Sequence, residues 1–251
     1  MNKTFTHVHS SSRFDRSAES LEKAIEHYVS IGSLVTFTEV AFPWRERPLN
    51  AVEGWGSVLG DLSMRDDSGI IYDKAVWRLV EGHTKIVLAP MFWKENGERV
   101  EPTGAAFAVL EHKDTKKRLL VTVLHLPSNV EGPKGLSGLP NRVLAWREAQ
   151  KNWRREWNRL AKKHDVDGVL VVADWNINIK RKIFLPLFKA IQPGMKLVFS
   201  HKNVPVDGTH HRRWIDFSFI RGALKIVRFP WLLRDDPSSD HRPYAETLAW
   251  T

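Results

Sequence analysis

Apolar and polar positions along this chain follow two rhythms. Most of it falls into short runs that are apolar or alternate in a strand-like way, and two stretches repeat at helical spacing. The most apolar run, Val169-Leu-Val-Val-Ala-Asp174-Trp-Asn176, follows Asp167-Gly168 and reads as a buried strand. Residues two apart leave the same face of a strand, so Asp174 and Asn176 are expected to project together from its end. A carboxylate beside an amide suits a hard cation or a phosphate better than an apolar core, although Asp and Asn at a strand end also form turns. Trp175, between them, is expected in the core.

Further strands are expected at Phe5 to His9, Leu34 to Val40, Gly69 to Asp73, Ala75 to Val80 and Lys85 to Ala89. Thr103 to Leu110 and Arg118 to Leu126 form a hairpin across the charged turn 111–117, and Lys196 to Ser200, Ile215 to Arg221 and Tyr244 to Trp250 complete the set. A helix capped by Ser17 carries Leu21, Ala24, Ile25, Tyr28 and Val29 on one stripe and stops at Gly32. The strongest helix runs from Asn141 to His164, with Trp146, Ala149, Trp153, Trp157, Leu160 and Ala161 at helical spacing. Its Arg and Lys residues are expected on a solvated outer face. Lys182 to Ile191 reads as a shorter helix, residues 43–69 read as a loop with a helical turn, and 131–140 reads as the most flexible loop of the chain.

Composition narrows the chemistry. The 251 residues suffice for one large domain, which is the organisation expected over 1–251. Eleven Trp and twelve Phe favour a large core, and the absence of Cys excludes disulfides and thiolate metal sites. Any metal must take oxygen or imidazole ligands. No apolar stretch approaches the roughly 20 residues of a membrane span, and the N-terminal region lacks an apolar signal segment, so a cytoplasmic location is expected. A net charge of +9 points to polyanionic partners, nucleic acid first among them, or else to a merely soluble basic surface.

Glu39, His125, Asp174 with Asn176, Asp216 and the pair Asp240-His241 all fall at or near expected strand ends, where ligand sites gather in layered α/β folds. Carboxylates and imidazoles without thiols fit metal-assisted phosphoester hydrolysis. Attack on a phosphodiester builds charge on anionic oxygens, which a carboxylate-held cation offsets, and histidine can move the protons. Judged singly, each residue has an ordinary explanation. Glu39 could be a strand-end charge, His125 a core histidine, Asp216 an edge-strand carboxylate and Asp240-His241 a turn.

The order of the motifs resembles the endonuclease/exonuclease/phosphatase superfamily, whose fold is that of deoxyribonuclease I. The resemblance spans about Phe5 to Leu248: FTEV at 37–40, GIIYDKAVW at 69–77, VTVLHLPS at 121–128, VVADWNIN at 171–178, WIDFSFI at 214–220 and SSDHRPYAETL at 238–248. It implies a four-layer α/β/β/α sandwich of two mixed sheets and hydrolysis of phosphodiester bonds with Mg²⁺ or Mn²⁺. Glu39 and Asp240 would serve the metal, and Asp216 would orient His241, itself a general base or a phosphate contact. Asp174 and Asn176 would position the nucleophile and phosphate oxygens, and His125 would contact phosphate or protonate the leaving group. One departure stands out. The family's first strand usually ends in an Asn near the metal, whereas here His7 or His9 takes that place. His7, His9, His210 and Arg212 are further candidates for substrate contact, with Arg45 and Arg242 weaker ones. A nuclease is the leading expectation. An inositol-phosphate or phospholipid phosphoesterase and a non-catalytic nucleic-acid-binding module are the alternatives.

Overall fold

The computed structural model describes residues 3–11, 18–40, 46–59, 68–93, 98–133, 135–201, 207–233 and 240–251. Two six-stranded sheets dominate it. The first has the order β13-β14-β1-β2-β4-β3 and the second β11-β12-β10-β9-β8-β5. In chain order the strands of the first sheet are β1 (Thr4–Ser11), β2 (Leu34–Thr38), β3 (Trp55–Leu59), β4 (Gly69–Asp73), β13 (Leu224–Leu232) and β14 (Tyr244–Trp250). Those of the second are β5 (Trp77–Leu88), β8 (Thr103–His112), β9 (Arg118–His125), β10 (Gly168–Asp174), β11 (Lys196–Val198) and β12 (Asp216–Gly222). A small hairpin, β6 (Met91–Trp93) with β7 (Glu98–Val100), stands outside both. Each large sheet is mixed, with one parallel pair, β1 with β2 and β9 with β10.

Alternation along the strands sorts side chains into layers. Val8, Val35, Phe37, Ile71 and Ala245 face helix α1 (Ala18–Ile31), which buries Leu21, Ile25 and Tyr28 against them. Phe107, Val109, Leu120, Val169, Val171 and Phe217 face the long helix α3 (Pro140–Lys163) and its Trp146, Trp153 and Trp157. Between the sheets lie Phe5, Leu34, Trp77, Ala106, Leu119, Val121, Leu170, Val172 and Ile220. The result is the expected helix–sheet–sheet–helix stack. There are also two short helices, α2 (Glu46–Asn50) and α4 (Leu185–Ile191).

Local chemistry explains the boundaries. Pro140 opens α3 at a position where its missing N–H costs nothing. Lys162 and Lys163 close it, where the helix dipole favours cations. Trp175 is fully buried, stacks on Phe217 at 5.3 Å and donates to the Phe217 carbonyl, as a core residue should. Three expectations change. The two strands expected at 75–80 and 85–89 are one 12-residue strand, β5, whose register shifts twice against β8. The stretch at 43–69, read as a loop with a helical turn, holds that turn as α2 and adds the strand β3. The strand β13 and the hairpin β6–β7 had no counterpart in the sequence reading. The loop at 131–140 is also tied down, because Glu131 accepts from Arg181 at 2.8 Å and from Arg213 at 2.6 Å. No helix among the described residues is long and apolar enough to cross a membrane.

Candidate functional site

One register row of the second sheet builds half of the site. Asp174, the last residue of β10, lies opposite His125 on β9 and opposite Asp216 on β12. Side chains in one row share a face, about 4.8 Å apart from strand to strand. β9 and β10 are largely apolar and end, and β12 begins, in a polar group at the same edge. From the first sheet, Glu39 follows the last residue of β2, and His241 enters just before β14.

These side chains meet. His241 Nδ1 lies 2.9 Å from Asp216 Oδ2, and His241 Nε2 is 4.0 Å from Asp174 Oδ2. His125 Nε2 is 3.6 Å from Asp174 Oδ2 and 3.5 Å from Glu39 Oε1. Glu39 holds φ of 61°, a left-handed conformation that costs a non-glycine residue roughly 1–2 kcal/mol. Asn129, Asn176 and His211, in loops at this same end, also have positive φ. Such local strain concentrates where a structure serves a site.

Two carboxylates in one row respond oppositely. Burial pushes Asp174 up, the Asp216 charge pushes it further, and the nearby imidazoles only partly offset this, leaving it at about 7. Burial would also raise Asp216, but the charge of His241 and its hydrogen bond overcome this and hold Asp216 below the usual carboxylate range. Burial alone would lower His241, whereas Asp216, Asp174 and Glu39 together lift it to about 9. The pair is therefore a carboxylate–imidazolium contact whose ring orientation is fixed.

The other candidates separate. Asn176 does not extend the strand with Asp174. The chain turns there, its N–H donates to Asp174 Oδ1 at 2.8 Å, and its side-chain amide donates to the Leu126 carbonyl at 2.7 Å. The face rule fails because β10 has already ended, yet the turn keeps the two residues together. Asp240 is half exposed and faces His210 at 3.4 Å. His210 is brought to the site, its ring 4.7 Å from that of His241, while His211 and Arg212 face solvent. His7 does not reach substrate space: it is fully enclosed between the sheets and bonded through both nitrogens to Glu246 and Thr36. His9 is equally enclosed and cannot touch a substrate directly. Arg242 is paired with Asp207 at 3.0 Å, and Arg45 lies outside the described residues.

In the sequence reading Thr209 has no role beyond opening the run to Trp214. Its hydroxyl accepts from the N–H groups of Ile215 and Asp216, and its carbonyl accepts from Arg242 N–H. This clamps the loop carrying His210 against His241. Gly208 permits the clamp, because a Cβ there would lie 1.9 Å from the Arg213 carbonyl oxygen. A Gly-Thr pair ahead of the Asp216 strand was the available signal, but a lone Thr carries too little information in one sequence.

Among the described residues, two groups of side chains offer donors suitably placed for a cation. Glu39, Asp174 and His241 present atoms within 4.8 Å of one another, and His210, Asp240 and His241 do likewise. The first group, with two carboxylates, fits a hard divalent ion.

No family model matches the sequence, and no curated protein matches it. Solved structures do. An endonuclease/exonuclease/phosphatase protein of Bacteroides vulgatus superposes with a TM-score of 0.71 at 14% identity, covering 100% of both chains. D. rerio TDP2 complexed with a single-strand DNA product gives 0.68 at 13% identity, over 98% of this chain and 99% of that one. ANGEL2, described as a 2',3'-cyclic phosphatase, gives 0.70 at 13%, over 98% and 96%. On this evidence the chain has the endonuclease/exonuclease/phosphatase fold.

Proposed function

We propose that this protein is a divalent-cation-dependent phosphodiesterase acting on nucleic acid in the cytoplasm. The observation that carries the proposal is the meeting of Glu39, His125, Asp174, Asp216 and His241 at one edge of both sheets, within 4.0 Å from each to the next. The net charge of +9 supports a polyanionic substrate over a neutral one. Neighbours of the same fold described as bound to DNA product or acting on cyclic phosphate support the reaction class.

Glu39 and Asp174 would hold Mg²⁺ or Mn²⁺, while Asp240 belongs to a second group that shares only His241 with them. Bound there, the ion would offset charge on the phosphate oxygens and ease loss of a proton from water. The chain's own groups divide the remaining work. Asp216 fixes the His241 ring, so that Nε2 faces Asp174 and the reacting phosphate. As an imidazolium, His241 grips a phosphate oxygen; deprotonated, it accepts a proton from the attacking water. His125, a quarter exposed on the opposite side of Asp174, is placed to contact phosphate or protonate the leaving oxygen. Asn176, anchored to Leu126, keeps the Asp174 carboxylate turned into the site.

The test is a Mg²⁺ and Mn²⁺ panel on plasmid, single-stranded DNA, RNA and inositol phosphates, run beside Asp174→Ala. EDTA should abolish cleavage and the substitution should remove most of it. Undiminished hydrolysis in either case contradicts the proposal. Phosphate release from inositol phosphates with nucleic acid left intact would move the assignment to a small-phosphoester hydrolase. Binding of nucleic acid without turnover would make the protein a binding module.

A further inference from the structure

Behind the site, the space between the sheets is polar. His7 lies opposite Glu246 on β14, and His9 lies opposite Tyr244 on β14 and Thr36 on β2. All five side chains are buried, with none more than a trace exposed. Glu246 Oε1 is 3.0 Å from His7 Nδ1, His7 Nε2 is 2.9 Å from Thr36 Oγ1, and Thr36 Oγ1 is 2.8 Å from His9 Nδ1. His9 Nε2 then faces Asp216 Oδ1 at 3.6 Å, the oxygen not engaged by His241.

Counting protons gives this chain a direction. A hydroxyl has one hydrogen to donate, so Thr36 can satisfy only one of its two imidazole partners as a donor. If it donates to His7, His9 must spend a proton on Thr36. A neutral His9 would then present a bare Nε2 to the Asp216 carboxylate, lone pair against lone pair. If it donates to His9, the His9 proton sits on Nε2 and points at Asp216. That arrangement requires His7 to carry a proton on Nε2 and donate it to Thr36, with a second proton shared between His7 Nδ1 and Glu246. Burial holds His9 below the ordinary imidazole range, consistent with a neutral ring carrying one proton. Neither His9 Nε2 nor Asp216 Oδ1 has another hydrogen-bond partner among the described residues, so closing the remaining gap satisfies both.

We propose that His9 is a positioning residue for the Asp216–His241 pair, donating Nε2–H to Asp216 in a tautomer set by the Glu246–His7–Thr36 chain. Asp216 is thereby held from both oxygens, and the His241 ring it carries loses a degree of freedom. The kinetic part of this inference rests on the phosphodiesterase reading above; the tautomer does not.

Two measurements test it. The first is ¹⁵N-resolved NMR of the imidazoles in the intact protein, with His9 assigned by the His9→Gln variant. The wild type should show His9 protonated at Nε2, and Thr36→Val should shift that signal. A wild-type His9 protonated at Nδ1 overturns the proposal. The second is cleavage kinetics with Mg²⁺ or Mn²⁺. His9→Leu should lower kcat about tenfold with little change in KM, and His9→Gln, whose amide can still donate toward Asp216, should recover most of it. Folded His9→Leu protein with unchanged kcat also overturns the proposal. If His9→Leu fails to fold, Thr36→Val replaces it, expected to lose severalfold in kcat. An inactive wild type would sink the phosphodiesterase reading instead, and the NMR tautomer would still decide the chain.

Discussion

Two layers of this molecule are equally buried and chemically opposite. Beneath α3 the second sheet meets Trp146, Trp153, Trp157 and Trp175, with Phe217 and Phe219 packed among them. Between the sheets at the site end lie His7, His9, Thr36, Asp174, Asp216, Tyr244 and Glu246. The aromatic layer gains from every contact, since each ring removes a large apolar area from water. The polar layer carries a desolvation cost and persists because its members bond to one another, as in Tyr244 with Ser218 at 2.7 Å. Residues alternate between these environments along the same strands. On β12, Phe217 and Phe219 face α3 while Asp216 and Ser218 face inward. Stability and chemistry are thus carried by opposite faces of one sheet.

The contrast is sharpest for activity. Asp174→Asn should lower phosphodiester cleavage roughly a thousandfold, with thermal stability equal to or above wild type, because a crowded buried charge is removed. Initial rates beside a melting curve check both halves. Trp153→Ala should do the reverse, costing about 3–5 kcal/mol of stability in denaturant unfolding, while protein that stays folded keeps most of its kcat. If the two substitutions acted alike, the separation of layers would be wrong.

Smaller effects extend the comparison to the surface. Glu156, on α3, accepts from Arg159 and Lys85. Burial opposes its ionisation, but these two cations win and draw it down from 4.5 to about 2. A depressed carboxylate stabilises the fold above its unfolded value, and that contribution fades as pH falls from 4.5 toward 2. Glu156→Gln should therefore lose about 1 kcal/mol at neutral pH, given the half-exposed partners, and match wild type near the acid end in melting curves. Arg212→Ala should be mildest, weakening nucleic-acid binding a few-fold and reducing the salt slope by about one counterion in a titration at several salt concentrations.

What the sequence displayed and what it hid follow from the range of the interactions. The run 168–174 declares β10 by its apolarity, and His125 and Asp216 declare themselves as polar ends of similar runs. Motif order pointed to the fold although identity to the solved neighbours is only 13–14%. By contrast β13, with Pro230 inside it and register shifts against β14, lacks a strand pattern. The bond from His7 to Glu246 joins positions 239 residues apart, so nothing local announces it. Asn176 was placed by a rule valid only within a strand, and β10 stops two residues earlier.

The most direct test is a crystal structure of the intact protein grown with Mn²⁺ and a phosphorothioate single-stranded oligonucleotide. The account predicts an anomalous manganese peak beside Glu39 and Asp174, with a phosphorothioate group between His125 and His241. Manganese bound away from Glu39, or the oligonucleotide seated on another face with His241 untouched, would contradict it.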